Sequence, residues 1–163
     1  MHPDPPLRPP AHRVDPRAVR WWQLRALVAL LVLTAPQLMV LLVSGAPAAL
    51  FWFPAGTVLV VGAYALVVPG LRYRIHRWEV TDEAVYTLSG WLVREWRIAP
   101  ISRVQTVDTQ HGPLQQLLRL ATVTVTTASA RGAVTIAGLD AGAAAELARS
   151  LTATTQATPG DAT

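Results

Sequence analysis

The feature that most constrains this chain is a long uncharged segment in its N-terminal half. Residues 26–71 contain no Asp, Glu, His, Lys or Arg. Two apolar runs, 26–43 and 48–68, lie within it and are joined by SGAPA, whose Gly and Pro favour a tight reversal. A membrane core of about 30 Å is crossed by a helix of about 17–25 apolar residues. The segment therefore predicts a transmembrane helical hairpin within residues 21–71.

A cleaved signal peptide is the alternative meaning of the first run. Its basic flank fits one, but the apolar part of a signal peptide spans only about 7–15 residues. A second apolar run also follows within a few residues, which a signal peptide does not explain. We therefore interpret both runs as membrane anchors.

Arginine placement predicts how the hairpin is oriented. Arg20 and Arg25 precede the first run, Arg72, Arg74 and Arg77 follow the second, and the loop between the runs has none. Cytoplasmic flanks carry an excess of Lys and Arg. We therefore expect a multi-pass protein of the inner (plasma) membrane with both termini in the cytoplasm. These five arginines either set the topology alone or also contact anionic lipid headgroups.

The apolar runs themselves favour an anchor over a transport route. Ionisable side chains inside a membrane are the usual mark of such a route, and the runs have none. Gln37 has two candidate partners, the other helix of the hairpin or a second copy of the chain.

The C-terminal half alternates between apolar and polar residues in the way of short antiparallel strands. Near His76–Arg77 the alternation slips, which indicates either a bulge or a helix that runs into a strand. Leu114, Leu117 and Leu118 predict one helical turn, and Asp140 is a good N-cap for a final amphipathic helix. The predicted strands are 72–80, 84–89, 91–98, 103–110, 121–127 and 133–139.

These strands are too many and too short for a flat sheet with two buried faces, so they must curl into a barrel or a sandwich. The predicted fold class is a membrane-anchored α+β protein: a two-helix transmembrane hairpin, then an antiparallel β-barrel or sandwich capped by a C-terminal helix. The predicted divisions are a flexible, basic, Pro-rich N-terminus at 1–20, the hairpin at 21–71, the β-domain at 72–152 and a disordered tail at 153–163.

Four pieces of the β-domain occur in a combination that points to a known family: the Thr81–Asp82–Glu83 turn, the Gly90 hairpin, IAPISRVQTVDTQHGPLQQLLRLATVTV and IAGL. With them the β-domain resembles the bacterial pleckstrin-homology (PH) domain family of YdbS-like membrane proteins. The resemblance covers roughly residues 70–152, and the preceding hairpin fits the layout of the family. Arg119 stands where members often carry glycine. The resemblance implies a PH-like domain, a larger membrane protein with several such domains as the partner, and a link to envelope stress.

The chain lacks the usual signatures of catalysis or metal binding. It has no Cys, no GxSxG or HExxH motif and no phosphate-binding glycine loop. Asp108 and His111 are expected on opposite faces of a strand end, so they do not form a site together. Asp82 and Glu83 are residues typical of a turn between two strands. The arginines flank the apolar runs rather than forming a dense basic face, so nucleic acid is not an expected partner. We expect no enzyme activity, no cofactor, no metal and no small-molecule substrate.

Two tryptophans mark the candidate partner surface. Trp91 and Trp96 have opposite parity on the predicted strand 91–98, so one is expected inside and the other outside. An exposed Trp on an edge strand is typical of a binding surface. The expected function is a non-catalytic scaffold or adaptor that binds another membrane protein or its own copy. The alternative is a sensor of anionic lipid that uses the flanking arginines, and the third is a small transport subunit.

The predicted topology is testable with reporter fusions. Alkaline phosphatase fused after Thr163 or before Met1 is expected to be inactive, and green fluorescent protein at either end is expected to fluoresce, because both ends remain in the cytoplasm. Phosphatase inserted after Gly45, in the loop between the runs, is the control and is expected to be active. An active fusion at either terminus would contradict the predicted orientation.

Overall fold

The computed structural model describes residues 8–128 and 132–157, and contains two long apolar helices followed by two antiparallel sheets and a C-terminal helix. The elements are β1 (His12–Arg13), α1 (Arg17–Val43), a 3-10 turn (Ala48–Phe51), α2 (Trp52–Ile75), β2 (Arg77–Val80), β3 (Ala84–Ser89), β4 (Glu95–Pro100), a second 3-10 turn (Ile101–Arg103), β5 (Val104–Gln110), α3 (Pro113–Leu117), β6 (Leu120–Thr127), β7 (Val134–Asp140) and α4 (Ala141–Ala157).

Helices α1 and α2 pack against each other as the predicted hairpin. Both are long and apolar enough to cross a membrane, and only 11% and 17% of their most apolar windows are buried within the protein. The core helix of a water-soluble protein would be mostly covered. Gln37 bonds across the hairpin, where its Nε2 donates to Thr57 Oγ1 at 3.2 Å. The other helix of the hairpin, one of the two candidate partners that the sequence left open, is therefore in contact with Gln37.

The β-domain is a sandwich of two sheets and is not a closed barrel. Sheet A has the order β1-β2-β3-β4, and sheet B has the order β5-β6-β7. Full burial of one Val, Leu or Ile side chain contributes about 1.5–3 kcal/mol, so this shared core is the main source of the domain's stability. The core is built from Val85, Ala99 and Ile101 of the sheet A region, Ala121, Val123, Val125, Val134, Ile136 and Leu139 of sheet B, and Ala144, Leu147 and Leu151 of α4.

Strand β6 shows how the sequence pattern becomes structure. Val123 and Val125 are buried, whereas the intervening Thr122 and Thr124 face outward and are only half-buried. The turn before it is tight: Arg119 has φ 54° and lies in the left-handed region, a conformation that glycine adopts more readily than other residues. The predicted helical turn is α3, which begins at Pro113.

The structure differs from the sequence interpretation at several boundaries. Helix α2 continues to Ile75, and β2 begins at Arg77. The break in the alternation near His76–Arg77 is therefore the end of a helix that runs into a strand, not a bulge. Strand β4 begins at Glu95 instead of residue 91, and α4 extends to Ala157 in the segment expected to be a tail. The rest of that tail, 158–163, and residues 1–7 lie outside the described residues.

Much of the segment expected to be a flexible N-terminus lies on the sandwich. Strand β1 pairs with β2, with His12 opposite Trp78. Ahead of β1, Pro10 is buried and Arg8 forms an ion pair with Glu79 at 2.8 Å. These contacts place residues 8–13 on sheet A, so the β-domain includes residues from before the hairpin.

The first turns of α1 pack closely on the end of β7. Gly138 has φ 85°, and a Cβ there would lie only 2.7 Å from Cβ of Ala18. Backbone N of Asp15 also donates to the carbonyl of Gly138 at 2.9 Å. Glycine is therefore required at 138 both by its backbone conformation and by the approach of the helix.

Replacing Gly138 is expected to destabilise this contact. In Gly138→Ala the positive φ costs about 1–2 kcal/mol, and overpacking against Ala18 adds about 1–3 kcal/mol. Gly132→Ala is the matched control, because Gly132 has φ 74° with open space around it. Thermal unfolding in detergent is expected to show the larger loss for Gly138→Ala. Equal losses for the two variants would contradict the close helix packing.

Candidate functional site

The candidate site begins at the junction between the hairpin and the sandwich. The junction cluster consists of the buried residues Val14, Ala18, Trp21, Trp22 and Leu120. It draws on the N-terminal segment, α1 and β6, and Tyr73 of α2 packs against it. Because α1 enters this cluster and then continues into the hairpin, the helix belongs to both units.

A charged clamp surrounds the first residue of α1. Arg17 Nε donates to Asp15 Oδ1 at 2.9 Å, and Arg17 Nη2 donates to Asp140 Oδ2 at 2.6 Å. Its Nη1 also donates to the carbonyl of Leu118 at 3.1 Å. Hydrogen bonds from the Arg17 guanidinium hold the pKa of both Asp15 and Asp140 below its usual range. Arg17 thus ties the start of α1 to the α3 turn and to the end of β7.

His76 is a buried titratable group at the exit of α2. It is 3% exposed, its ring meets that of Trp22 edge-on at 6.0 Å, and its Nδ1 has no hydrogen-bond partner within the described residues. Burial, together with the nearby charge of Arg72, lowers the pKa of His76 to about 4. The ring is therefore neutral in the folded protein at physiological pH.

The five arginines of the predicted headgroup site divide into two groups. Arg72 lies 4.6 Å over the ring of Trp22, and Arg77 Nη1 donates to the carbonyl of Pro10 at 3.3 Å, so both support the junction. Arg20, Arg25 and Arg74 are exposed. Arg25 also lies 5.3 Å over the ring of Trp21.

The predicted partner surface is exposed at both tryptophans. Trp91 is 43% and Trp96 is 40% exposed. The prediction that one Trp faces inside and the other outside is wrong, because the two do not share a strand. Trp91 lies in the loop after Gly90, which has φ 97°, and only Trp96 is on β4. We call Trp96 and Ile98, which share the outward face of β4, the apolar edge. Strand β4 ends the order of sheet A, so within the described residues it has one strand neighbour.

The remaining polar candidates are engaged in local structure. His111 Nδ1 lies 3.1 Å from the carbonyl of Leu120, and Asp108 Oδ2 accepts from Thr106 at 3.2 Å. The turn before β3 is organised by Thr81, whose Oγ1 accepts from the backbone N of Glu83 at 3.3 Å and from that of Ala84 at 3.2 Å. No group of three His, Asp or Glu residues that suits a metal ion occurs in the described ranges.

Sequence reasoning missed the junction because its residues are far apart in the chain. Arg17 had one available signal: Asp15-Pro16-Arg17 resembles a helix start, with the Asp carboxylate accepting from the backbone N of Arg17 at 2.8 Å. The burial of His76 had no signal in the sequence. It depends on the packing of Trp22, which is more than fifty positions away in the numbering.

The hairpin, the two-sheet sandwich and the capping helix define a membrane-associated protein with a PH-like domain. The family model described as "Bacterial PH domain" matches residues 24–155, which include most of α1, all of α2, strands β2 to β7 and most of α4. The chain therefore belongs to the bacterial PH domain family, as the sequence resemblance indicated.

A sequence relative agrees with this assignment. The UPF0699 transmembrane protein YdbS of Bacillus subtilis (strain 168) is 29% identical over 128 residues, which are 74% of this chain and 78% of that protein. No solved structure matches the chain significantly.

The neutral state of His76 predicts a pH-dependent stability. At His76 the unfolded chain takes up a proton near pH 6.5 and the folded chain only near pH 4. The contribution of neutral His76 to the free energy of unfolding is therefore complete above pH 6.5 and is lost as the pH falls toward 4. The difference corresponds to about 3 kcal/mol. In His76→Phe the loss of unfolding free energy over this window is expected to shrink by about that amount, measured by chemical unfolding in detergent. His111→Gln is the control and should retain the wild-type slope. An unchanged slope in His76→Phe would disprove the assignment.

Proposed function

We propose that this protein is a non-catalytic, membrane-anchored adaptor that binds another membrane protein or a second copy of itself through the apolar edge. The observation that carries the proposal is the exposure of Trp96 and Ile98, 40% and 41% exposed, on a strand at the end of sheet A. Large apolar side chains that remain uncovered on an edge are typical of binding surfaces.

The surroundings of the edge favour recognition by side chains over strand addition. Arg97 faces inward from β4, donates to the carbonyl of Ala133 at 2.9 Å and pairs with Glu95 at 2.7 Å. Inward-facing charges on an edge strand oppose uncontrolled pairing with other strands. A partner is therefore expected to cover Trp96 and Ile98 rather than to extend the sheet.

The proposed placement has both helices crossing the inner membrane and both termini in the cytoplasm. It is supported by the arginine asymmetry around the hairpin and by the small buried share of its helices. The edge would then lie in the cytoplasm at a fixed distance from the bilayer. A partner in the same membrane, such as a larger protein with several PH-like domains, would meet it by lateral diffusion, and a role in envelope stress would follow from that partner.

Sensing of anionic lipid is the second candidate function. Exposed Arg20, Arg25 and Arg74 favour it, because each basic residue near an anionic surface contributes about 1 kcal/mol. The two functions differ in their salt dependence, since contacts between exposed charges weaken as salt screens them. Packing of Trp96 against a partner would persist at high salt.

Site-specific photocrosslinking tests the adaptor function. A benzoylphenylalanine at position 98 is expected to give discrete protein adducts in native membranes, and the same group at exposed Thr135 on β7 is expected to give none. Loss of a hot-spot Trp costs about 2 kcal/mol or more, so Trp96→Ser should strongly reduce the adducts, whereas Leu117→Ser, at another exposed apolar position, should leave them intact.

The adducts are also followed as the salt concentration is raised. Adducts at position 98 that survive high salt and require Trp96 would support the adaptor. Adducts of equal yield at 98 and 135, or a yield independent of Trp96, would contradict it. A yield that disappears with salt and needs Arg20, Arg25 and Arg74 would favour the lipid sensor.

A further inference from the structure

Two of the three most exposed apolar residues of the β-domain lie together in the loop between β3 and β4, which we call the 90–94 loop. Leu92 is 79% and Val93 is 74% exposed, and Trp91 precedes them. Three consecutive apolar side chains in water are unfavourable and usually indicate that something covers them. This loop is separate from the apolar edge, whose residues lie on β4 itself.

The shape of the 90–94 loop is fixed by its glycine. Gly90 has φ 97°, and a Cβ there would lie 1.8 Å from the carbonyl oxygen of Val93. The chain therefore turns back on itself within four residues, which holds the side chains of Leu92 and Val93 outward. Only glycine permits this close backbone approach.

Strand register places the loop beside the exit of α2. Arg77 pairs with Leu88 across β2 and β3, so Ser89, the last residue before the loop, comes opposite His76. Paired residues of antiparallel strands are about 4.5–5.5 Å apart. Helix α2 also contacts β3 directly. The base of the loop therefore lies next to the residue at which the chain leaves the helix.

The same geometry sets the distance between the loop and the bilayer. From Gly70, near the end of the apolar run, to His76 the chain rises about 9 Å as helix. The headgroup layer adds about 5–8 Å to each side of the hydrocarbon core. A loop beside His76 is thus within side-chain reach of the headgroups, where Trp is enriched and where Arg94 would meet an anionic surface.

We propose that the 90–94 loop inserts Trp91, Leu92 and Val93 into the headgroup boundary of the leaflet from which α2 emerges. The bilayer is the favoured occupant because the chain itself holds the loop beside that leaflet. This lipid contact is additional to the apolar edge and fixes how the sandwich lies against the membrane.

The absence of cysteine allows a direct test on the full-length protein. Leu92→Cys is labelled with an environment-sensitive fluorophore and reconstituted into vesicles of phosphatidylcholine and phosphatidylglycerol. Its emission is expected to shift to the blue and to lose most of its intensity when the vesicles carry lipid with a nitroxide near the headgroup. Asp82→Cys, in the exposed turn at the opposite end of sheet A, is the matched control and should show neither effect. Val93→Cys provides a second position in the loop.

Two outcomes would overturn the proposal. Emission from the Leu92 and Val93 labels like that of the Asp82 label would show that the loop stays in water. A blue shift that the nitroxide lipid leaves unquenched would show that a second copy of the protein covers the loop. Neither outcome affects the adaptor proposal, which is tested at position 98.

Discussion

The close packing of α1 on the end of β7 is the constraint on which the rest of the structure depends. Ala18 meets Gly138 where no side chain fits, and the same helix then continues through the hairpin to Val43. A helix shared by two units fixes their relative orientation, because bending it inside the junction cluster would break backbone hydrogen bonds. The sandwich is therefore held by the first turns of the helix rather than by a flexible linker.

A second connection makes this attachment firm. Helix α2 enters β2 through the single residue His76, whose side chain is buried against Trp22 of α1. The two chain crossings between hairpin and sandwich thus meet in one cluster. Arg17 adds directional contacts, since its guanidinium reaches two carboxylates and one carbonyl. Apolar packing sets the distance between the two units, and the charged hydrogen bonds oppose rotation about the helix axis.

The features that sequence could predict are those set by local periodicity and local charge. The alternation of Val and Thr predicted β6 and its buried face, and the uncharged segment predicted the two long helices. Contacts between distant segments carried no such signal. Pro10 was expected in a flexible segment, but its burial depends on a sheet formed by residues after the hairpin. For the candidate site, the sequence predicted that one of Trp91 and Trp96 is exposed without deciding which, and both are exposed. Trp91 was misplaced on a strand because the positive φ of Gly90 ends the alternation.

The firm junction bears on the proposed adaptor function, in which one exposed Trp and one Ile would serve as a binding surface. Association of two proteins costs translational and rotational freedom, estimated at about 4–15 kcal/mol. If the partner lies in the same membrane, as proposed, confinement to that membrane would remove part of this cost. A sandwich that cannot swing about its anchor would remove more, because the edge would already be held at a fixed height and angle. Contact of the 90–94 loop with lipid would remove the remaining tilt. Under the proposed function, a small apolar edge on a rigidly held domain would therefore bind more tightly than the same two side chains on a flexible tether.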